Sequence, residues 1–545
     1  MMSKAKDKDN SKSKKVFLFL TPAKYILIGL FFLLSIRITH DFGYSLIGVV
    51  EVLFVFILAN YISIKNMVIA SILSGLFMFI LGIQAGLLFF SGMYLNMIMI
   101  ANLASIEMLR GRAFQYGSIA LLVLILIFIP HKPLLVKQFK SKIPLIALFF
   151  LFSVDIVFSA ALKKLEYSPF FAIYTLAQEN HRVKMLKARI KDFGTEGAGE
   201  EFFQMEIADG IDKPKELPDN PNVVIIFMEG CSQNVIEDER NIMPNIATFQ
   251  NEGLSFDNYY NHTAATYRGL FGQLYSAHSY YDDAIEGFVS VEEILSDKGY
   301  ETKFINPEPT NTLFTKYLKK MQFDVSSGNF KDDLMPDQQN YDLVFDALKE
   351  AEESNTPNLI VTYTVFTHVG FDSPDKKYGD GANRLLNRFY NTDCAFGDFI
   401  SRVKEAGYDE NTIFVLTTDH ASCRDDDYTT TFSGYYERPA WFCDEVPFTI
   451  YYKGIKPEWV DANGRNSLCL APTLLDYMDI SEPNYFLGES LFVEDPDNKF
   501  DTIFCIPDGM LTNKTNDGLV GDLSEDEQKD YEERFARFLS VMGTE

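Results

Sequence analysis

Apolar positions divide the chain into two parts with different patterns. Up to about residue 165 long apolar runs dominate, and beyond it short apolar and polar stretches alternate. A bilayer crossing needs about 20 apolar residues, and five runs reach or approach that length. They lie at residues 16–36, 44–64, 67–88, 114–130 and 143–162. The pattern predicts a basic cytoplasmic tail at 1–15, followed by a transmembrane domain of about five helices at 16–162.

Lysine-rich segments beside these runs predict how the domain is oriented. One precedes the first run, and "HKPLLVKQFKSK" joins the fourth run to the fifth, so five crossings place both segments on one side. Because basic loops are retained in the cytoplasm, we expect a multi-pass protein of the cell membrane with an extracytoplasmic C-terminal part. No small-residue cleavage site follows the first run, which favours an anchor over a removed signal peptide.

The C-terminal part carries most of the net charge of −26 and all six cysteines. So acidic a balance argues against nucleic acid as a partner. An even number of cysteines in an extracytoplasmic domain predicts disulfide bonds without specifying their pairing. Two carboxylates, Glu51 and Asp155, fall inside apolar runs. They either contact a lipid headgroup or another helix, or lie near a helix end or in the bundle interior.

From residue 222 onward the pattern alternates between strands and helices. Apolar, β-branched runs occur at "NVVIIF", "ETKFI", "NLIVTYTVF", "NTIFVLTT", "VPFTIYY" and "DTIFCI". Amphipathic helical patterns separate several of them, and a capping box from Ser524 to Glu527 begins a final helix. The alternation predicts an α/β domain with a mostly parallel sheet at 219–545, joined to the membrane domain by a juxtamembrane connector at 163–218.

Titratable residues follow three of the predicted strands. Glu229 comes one residue after "VVIIF", Asp419 and His420 come directly after "TIFVLTT", and His368 comes shortly after "LIVTYTVF". In open α/β sheets, functional sites form beyond the carboxyl ends of the strands. Each residue alone has an ordinary explanation as a cap or a turn former. Together they predict a site that holds a cation, because converging carboxylates and imidazoles generally need one.

The segment "NHTAATYRGLFGQLYSAHS", residues 261–279, contributes hydroxyl groups. A threonine hydroxyl is a weak nucleophile, and coordination to a divalent cation lowers its pKa. A threonine, a glutamate, an aspartate and a histidine around one cation form a sensible site for in-line attack on phosphorus. The same cation would stabilise charge on the phosphoryl oxygens.

Segments spread over most of 221–493 carry a family resemblance. They are "PNVVIIFMEG", "MPNI", "NHTAATYRG", "FTHVG", "YNTDCAFGDFI", "NTIFVLTTDH", "VPFTIYYKG", "LAPTLLDYM" and "NYFLGESLF". In their order and spacing, they resemble the sulfatase-like branch of the alkaline phosphatase superfamily. With the predicted five-helix anchor, the chain resembles the lipoteichoic acid synthase family of membrane phosphoglycerol transferases. The resemblance implies an alkaline phosphatase/sulfatase-like domain, a sheet flanked by helices.

The resemblance also implies roles for individual residues. By position, the family's metal site corresponds to Glu229, Thr266, Asp419 and His420. Thr266 matches the nucleophile, which would become a covalent phosphothreonine. His368 matches a residue that holds the substrate phosphate or assists protonation of the leaving group.

Two assignments near the nucleophile have alternatives. Thr263 is a second candidate nucleophile, although Ser276 follows Thr266 at the family's spacing and Arg268-Gly269 recurs in related members. Arg268 either contacts the substrate phosphate or is a surface arginine. The two histidines of the segment, His262 and His278, are interpreted as structural.

The implied activity is a metal-dependent transfer of a phosphoglycerol-type group. The donor would be a phosphatidylglycerol-like phospholipid in the membrane, and the acceptor a glycan or lipid of the cell envelope. One divalent cation is implied, with manganese preferred over magnesium or zinc. The alternatives are a phosphoethanolamine transferase, a phosphodiester or sulfuric ester hydrolase, and a non-catalytic lipid sensor.

Departures from the family pattern affect the substrate. The family's Trp-x-Arg pair for glycerol phosphate is absent between Thr266 and His368, which weakens the case for glycerol. His420 is the last histidine, whereas phosphoethanolamine transferases carry a further one beyond the Asp-His pair. Sulfatases require Cys-x-Pro-x-Arg or its serine version, and the nearest match, at Cys505, lacks the arginine. Its absence argues against sulfate ester hydrolysis as the main activity.

Overall fold

The computed structural model of the chain separates into two compact units, Met1–His181 and Arg182–Glu545. It describes residues 20–39, 41–96, 99–100, 113–134, 136–139, 142–157, 167–193, 199–278, 287–354, 356–432, 443–494, 500–506, 510–516 and 519–542. The predicted cytoplasmic tail at 1–15 lies outside these residues. So do the first residues of the first predicted crossing and the last residues of the fifth.

The first unit is a bundle of apolar helices. Its described helices are α1 (Leu20–Thr39), α2 (Phe42–Ser63), α3 (Met67–Ser91), α4 (Ala113–Ile127), α5 (Val136–Phe139), α6 (Ile143–Ile156) and the start of α7 (Pro169–Phe193). Helices α1, α2 and α3 are long and apolar enough to cross a membrane. The fourth and fifth predicted crossings correspond to shorter helices, α4 with 15 residues and α6 with 14.

Helix α7 continues past the end of the first unit, and its start is held by a carboxylate inside α2. Glu51 is 2% exposed, and its side chain accepts hydrogen bonds from the Ser168 hydroxyl and from the Phe170 backbone N–H. Among the alternatives for Glu51, these contacts favour the bundle interior. The carboxylate satisfies an N–H group at the beginning of a helix, where a negative charge is also favoured by the helix dipole.

The second unit is an α/β domain with a separate small sheet. Its strands are β1 (Asn222–Met228), β2 (Leu254–Asp257), β3 (Glu301–Ile305), β4 (Asp324–Ser326), β5 (Asn358–Tyr363), β6 (Thr412–Thr418), β7 (Phe448–Tyr451), β8 (Glu458–Asp461), β9 (Ile503–Ile506), β10 (Met510–Asn516) and β11 (Leu519–Asp522). Its helices after α7 are α8 (Gln233–Ile236), α9 (Pro244–Glu252), α10 (Thr266–Tyr275), α11 (Val291–Asp297), α12 (Thr312–Lys320), α13 (Asp337–Ser354), α14 (Arg384–Ala406), α15 (Asp426–Thr431), α16 (Leu470–Tyr477) and α17 (Glu525–Leu539).

Eight strands form the main sheet in the order β4-β3-β5-β1-β6-β7-β2-β8. All neighbours pair in parallel except β6 with β7 and β2 with β7, so the sheet is mostly parallel, as predicted. Every residue of β1, β5 and β6 is buried, as expected for central strands covered on both faces. The predicted capping box of Ser524 and Glu527 is confirmed at the start of α17.

Three features of the second unit differ from the sequence predictions. The run "DTIFCI" was expected in the main sheet, but its strand β9 pairs antiparallel with β10 in a three-stranded sheet with β11. Strands β2, β4 and β8 were not predicted, since three or four residues are too short to show a period. The expected disulfides are also wrong, because no cysteine forms one in the described structure.

Candidate metal centre

Three of the predicted ligands meet where β1 and β6 end. The two strands pair in parallel, with Met228 opposite Thr418, so Glu229 and Asp419 leave the sheet side by side. His420 follows directly. Ligand atoms of Glu229, Asp419 and His420 all lie within 4.8 Å of one another. The Nε2 atom of His420 is 3.5 Å from Glu229 Oε1 and 3.5 Å from Asp419 Oδ2.

The hydrogen bonds of these side chains leave the inward atoms available to a cation. Oδ1 of Asp419 accepts from the backbone N–H groups of Gly230 (2.8 Å) and His420 (2.7 Å). Its buried Oδ2 has no hydrogen-bond partner among the described residues. The Nδ1 atom of His420 lies 2.8 Å from the Ala421 carbonyl. Because a carbonyl only accepts hydrogen bonds, Nδ1 carries the proton, and the lone pair of Nε2 is available to a cation. A buried carboxylate oxygen without a donor beside a free imidazole nitrogen fits a divalent metal ion.

The electrostatics of the pair also favour a cation. Burial raises the pKa of Glu229 well above its ordinary value, and the negative charge of Asp419 raises it further. Two carboxylates in a dry site repel each other when both are ionised. A divalent cation between them would offset both the repulsion and the burial.

Thr266 brings its hydroxyl to this centre. It is the first residue of α10 and 6% exposed, and its Oγ1 donates a 3.1 Å hydrogen bond to Glu229 Oε2. In the described structure, the Thr266 hydroxyl contacts Glu229. Thr263 is held through its backbone carbonyl, which accepts a hydrogen bond from Asn261 Nδ2. The position at a helix N-terminus also favours negative charge, such as that of a phosphoryl group.

Two glycines of α10 allow its close packing, one against the end of β6 and the other against His262. A β-carbon on Gly269 would lie well inside 3.0 Å of the Asp419 carbonyl oxygen, and one on Gly272 would meet the His262 ring. His262 is buried, with Nδ1 2.6 Å from the Ser467 hydroxyl and Nε2 3.3 Å from the Arg268 carbonyl. Burial lowers its pKa to about 3, so the ring is neutral. These contacts agree with a structural role for His262.

His368 lies near the centre but outside the cluster of three ligands. It follows β5 in a loop whose Thr367 hydroxyl donates to the backbone carbonyl of Glu229. Its Nδ1 is 3.0 Å from the Val369 carbonyl, which leaves Nε2 as the free nitrogen. Burial lowers the pKa of His368 to about 4, and the nearby positive charge of Arg388 acts in the same direction. A neutral imidazole of this kind accepts a proton from a hydroxyl group and returns it.

The remaining predicted site residue is Arg268, half-buried in the first turn of α10. Its backbone carbonyl accepts the bond from His262 described above. Contact of its side chain with a substrate phosphate stays a prediction.

Sequence reasoning missed the threonines that hold the ligand backbone in place. The Thr364 hydroxyl accepts from the Glu229 N–H at 3.1 Å. The Thr418 hydroxyl donates to the Met228 carbonyl and accepts from the Cys231 N–H at 3.0 Å. Such outer contacts orient metal ligands. The available signal was a polar residue at the carboxyl end of an otherwise apolar strand.

Comparisons with known proteins concern the sequence and fold of the second unit. Residues 221–480 match the family model described as Sulfatase. A protein of the alkaline phosphatase superfamily from Vibrio parahaemolyticus has 18% sequence identity and a TM-score of 0.50, covering 66% of this chain and 94% of its own. The lipoteichoic acid synthase LtaP from Listeria monocytogenes has 16% identity and a TM-score of 0.49, covering 64% and 96%. Residues 221–480 of the second unit therefore match the Sulfatase family model, and the unit shares the fold of the alkaline phosphatase superfamily protein from Vibrio parahaemolyticus.

Proposed function

We propose that the chain is a membrane-anchored, metal-dependent transferase. It would move a phosphoglycerol-type group from a phosphatidylglycerol-like donor to a glycan or lipid acceptor of the cell envelope. The observation that carries this proposal is the hydrogen bond from Thr266 Oγ1 to Glu229 Oε2 inside a set of cation ligands. A hydroxyl at the start of a helix, directed at a metal ligand, is the arrangement that a nucleophile for phosphorus requires.

The reaction would proceed in two displacements. In the first, Thr266 Oγ attacks the donor phosphorus, a Thr266–O–P bond forms, and the bond from phosphorus to the diacylglycerol oxygen breaks. We assign to His368 the transfer of the threonine proton to that leaving oxygen. In the second, an acceptor hydroxyl attacks the phosphorus, an acceptor O–P bond forms, the Thr266 O–P bond breaks, and His368 passes the acceptor's proton to Thr266 Oγ1.

A divalent cation held by Glu229, Thr266, Asp419 and His420 would lower the pKa of the Thr266 hydroxyl and stabilise charge on the phosphoryl oxygens. Manganese is our first choice, with magnesium and zinc as alternatives, because the ligands combine oxygen with imidazole nitrogen.

The membrane domain supports a lipid donor. Helices α1, α2 and α3 are long and apolar enough to cross a bilayer. A two-tailed phospholipid stays in that bilayer, so an anchored catalytic domain meets it at high local concentration. We place the catalytic domain on the extracytoplasmic side because of the lysine-rich segments.

Intact-protein mass spectrometry tests the proposal. The full chain with Mn²⁺ is exposed to phosphatidylglycerol, and we expect a phosphoglycerol adduct on the wild type and none on Thr266→Ala. An adduct that persists in Thr266→Ala, or its absence from the wild type, contradicts the assignment. If the wild-type adduct is hydrolysed by water even when acceptors are present, and free glycerol phosphate is the product, the protein is a hydrolase.

One observation favours phosphoethanolamine as a second candidate for the transferred group. The Glu308 carboxylate lies near the centre, and its negative charge contributes to the raised pKa of Glu229. Tyr363 donates its hydroxyl to Glu308 Oε1, and Asn311 Nδ2 donates to Oε2 at 3.2 Å, so the carboxylate is fixed. A fixed carboxylate would bind the ammonium group of phosphoethanolamine. Comparing adducts from phosphatidylethanolamine and phosphatidylglycerol decides between the two, with Glu308→Gln expected to weaken the former selectively.

A further inference from the structure

The loop that carries His368 is held by one face of the helix that follows it. The loop occupies residues 364–383, between β5 and α14, and four polar residues of α14 bond to it at helical spacing i, i+3, i+4 and i+7. Arg384 Nη2 donates to the Gly370 carbonyl (2.8 Å), Asn387 Nδ2 to the Gly381 carbonyl (2.9 Å), Arg388 Nη1 to the His368 carbonyl (2.5 Å), and Asn391 Oδ1 accepts from the Lys376 N–H (2.8 Å). A single helix face therefore fixes the backbone of the loop.

Arg388 differs from the others in its burial and in the residue it contacts. Among the residues that the structure describes, its side chain is the largest of the fully buried ones, and the residue is 1% exposed. Burying a guanidinium is costly unless its N–H groups have defined acceptors. Arg384 is exposed and bonds to a carbonyl two residues further along the loop. The buried arginine thus bonds to the backbone of the residue to which we assign proton transfer.

A second contact fixes the loop from the side of the metal centre. The Thr367 hydroxyl donates to the Glu229 carbonyl, and the next residue is held by Arg388. The His368 ring is then oriented by the 3.0 Å contact of Nδ1 with the Val369 carbonyl. Together these three contacts fix the backbone and ring of His368 relative to Glu229, and the one from Arg388 comes from outside the centre.

We propose that Arg388 is a positioning residue that holds His368 in register with the Thr266 hydroxyl by binding the His368 carbonyl. This inference rests on the proposed function, in which His368 transfers the proton. Neither the sulfatase-family match nor the metal-ligand set assigns any role to Arg388. Proton transfer depends on heavy-atom distances of about 2.6–3.2 Å, so a small displacement of the loop is sufficient to lower the rate.

A double-mutant cycle on the full chain in lipid nanodiscs tests the proposal. The rate of diacylglycerol release is measured with Mn²⁺ and the donor that gives the Thr266 adduct. We expect Arg388→Met to lower kcat by about 100-fold with little change in KM, because misplacing a catalytic group by about 1 Å has an effect of that size. Arg388→Lys, which keeps one donor and the charge, should recover part of the rate. In a His368→Gln background, Arg388→Met should change the rate less than about twofold, since both act through one group.

Control measurements separate positioning from a general loss of structure. Lys404→Met, on the same helix but bonded to Glu252 and not to the loop, should keep a rate close to the wild type. Mn²⁺ affinity and thermal unfolding should be unchanged in Arg388→Lys. Hydrogen exchange needs no substrate. The His368 N–H donates to the Val365 carbonyl and the Phe371 N–H to the His368 carbonyl, and both amides should exchange faster in Arg388→Met and in Arg388→Lys than in the wild type.

Several results would overturn the inference. One is that Arg388→Met lowers the rate of the His368→Gln variant by the same factor as it lowers the wild-type rate. Another is that the amide exchange rates of His368 and Phe371 do not change in the Arg388 variants. If His368→Gln reacts at the wild-type rate, His368 does not transfer the proton, and Arg388 has no positioning role. The Thr266 adduct still tests the proposed function in that case. Loss of the adduct in the wild type contradicts the proposed function alone, and the exchange measurement still decides whether Arg388 holds the loop.

Discussion

Gly269 lies against the backbone of Asp419 so closely that the position has no room for a side chain. A β-carbon there would approach the Asp419 carbonyl oxygen well inside 3.0 Å, a separation that real β-carbons essentially never show. The contact joins the first turn of α10, which carries the proposed nucleophile, to the end of β6, which is followed by two proposed metal ligands, Asp419 and His420. The distance between nucleophile and ligands is thus set by a backbone contact.

We therefore expect Gly269→Ala to separate Thr266 from the ligands without unfolding the domain. The added methyl has to push α10 away from β6, and a displacement of about 1 Å typically lowers kcat about 100-fold. Activity and Mn²⁺ affinity measured on the same preparation check this. Gly521→Ala is a matched control for added volume, because no atom of the described residues outside its chain neighbours lies within 4 Å of the added β-carbon and its φ is not positive. Wild-type activity of Gly269→Ala would contradict the expectation.

Thr266→Ser should keep the covalent intermediate, whereas Thr266→Ala should lose it. Serine retains the hydroxyl that donates to Glu229 Oε2, and alanine leaves no nucleophile. The rate of adduct formation, followed by mass spectrometry, distinguishes the variants. Thr263→Ala is the control within the same segment and should form the adduct normally. An adduct lost only in Thr263→Ala would reassign the nucleophile.

Asp419→Asn should abolish most of the cation affinity. Losing an outer-shell partner typically costs about 10–100-fold in metal affinity, and losing a ligand should cost more. Saturating Mn²⁺ at 100 times its dissociation constant stabilises a folded protein by about 2.7 kcal/mol, so the wild type should unfold at a higher temperature with Mn²⁺ than with a chelator. The variant should lose this difference. Glu410→Gln removes an exposed carboxylate paired with Lys453 and should keep it.

Asp501 should make the stability of the second unit fall between about pH 4 and pH 7. The carboxylate is buried, and burial raises its pKa to about 7. Because the folded state then binds a proton that the unfolded state releases near pH 4, the free energy of unfolding decreases as the pH rises through this range and levels off above it. In Asp501→Asn this decrease should be smaller. Thermal unfolding at a series of pH values checks the difference, and equal slopes in both proteins would contradict it.

Periodicity and strand ends in the sequence predicted much of this molecule. Apolar runs indicated the helices of the first unit, and β-branched runs located β1, β3, β5 and β6. Because parallel strands bring their carboxyl ends to one edge, the residues after β1 and β6 could be expected to meet, and Glu229, Asp419 and His420 do. These features depend on short stretches of chain, where the pattern of side chains is sufficient.

Other features depended on contacts between distant segments. The three-stranded sheet of β9, β10 and β11, the absence of disulfides among the described cysteines, and the short strands β2, β4 and β8 have no local signal. The approach of α10 to β6 through Gly269, and the bond from Arg388 to the His368 carbonyl, join residues that are separated along the chain. The sequence by itself determined which groups could do the chemistry. Only the tertiary structure decided their distances, because those depend on how helices and strands pack and on which buried donors find acceptors.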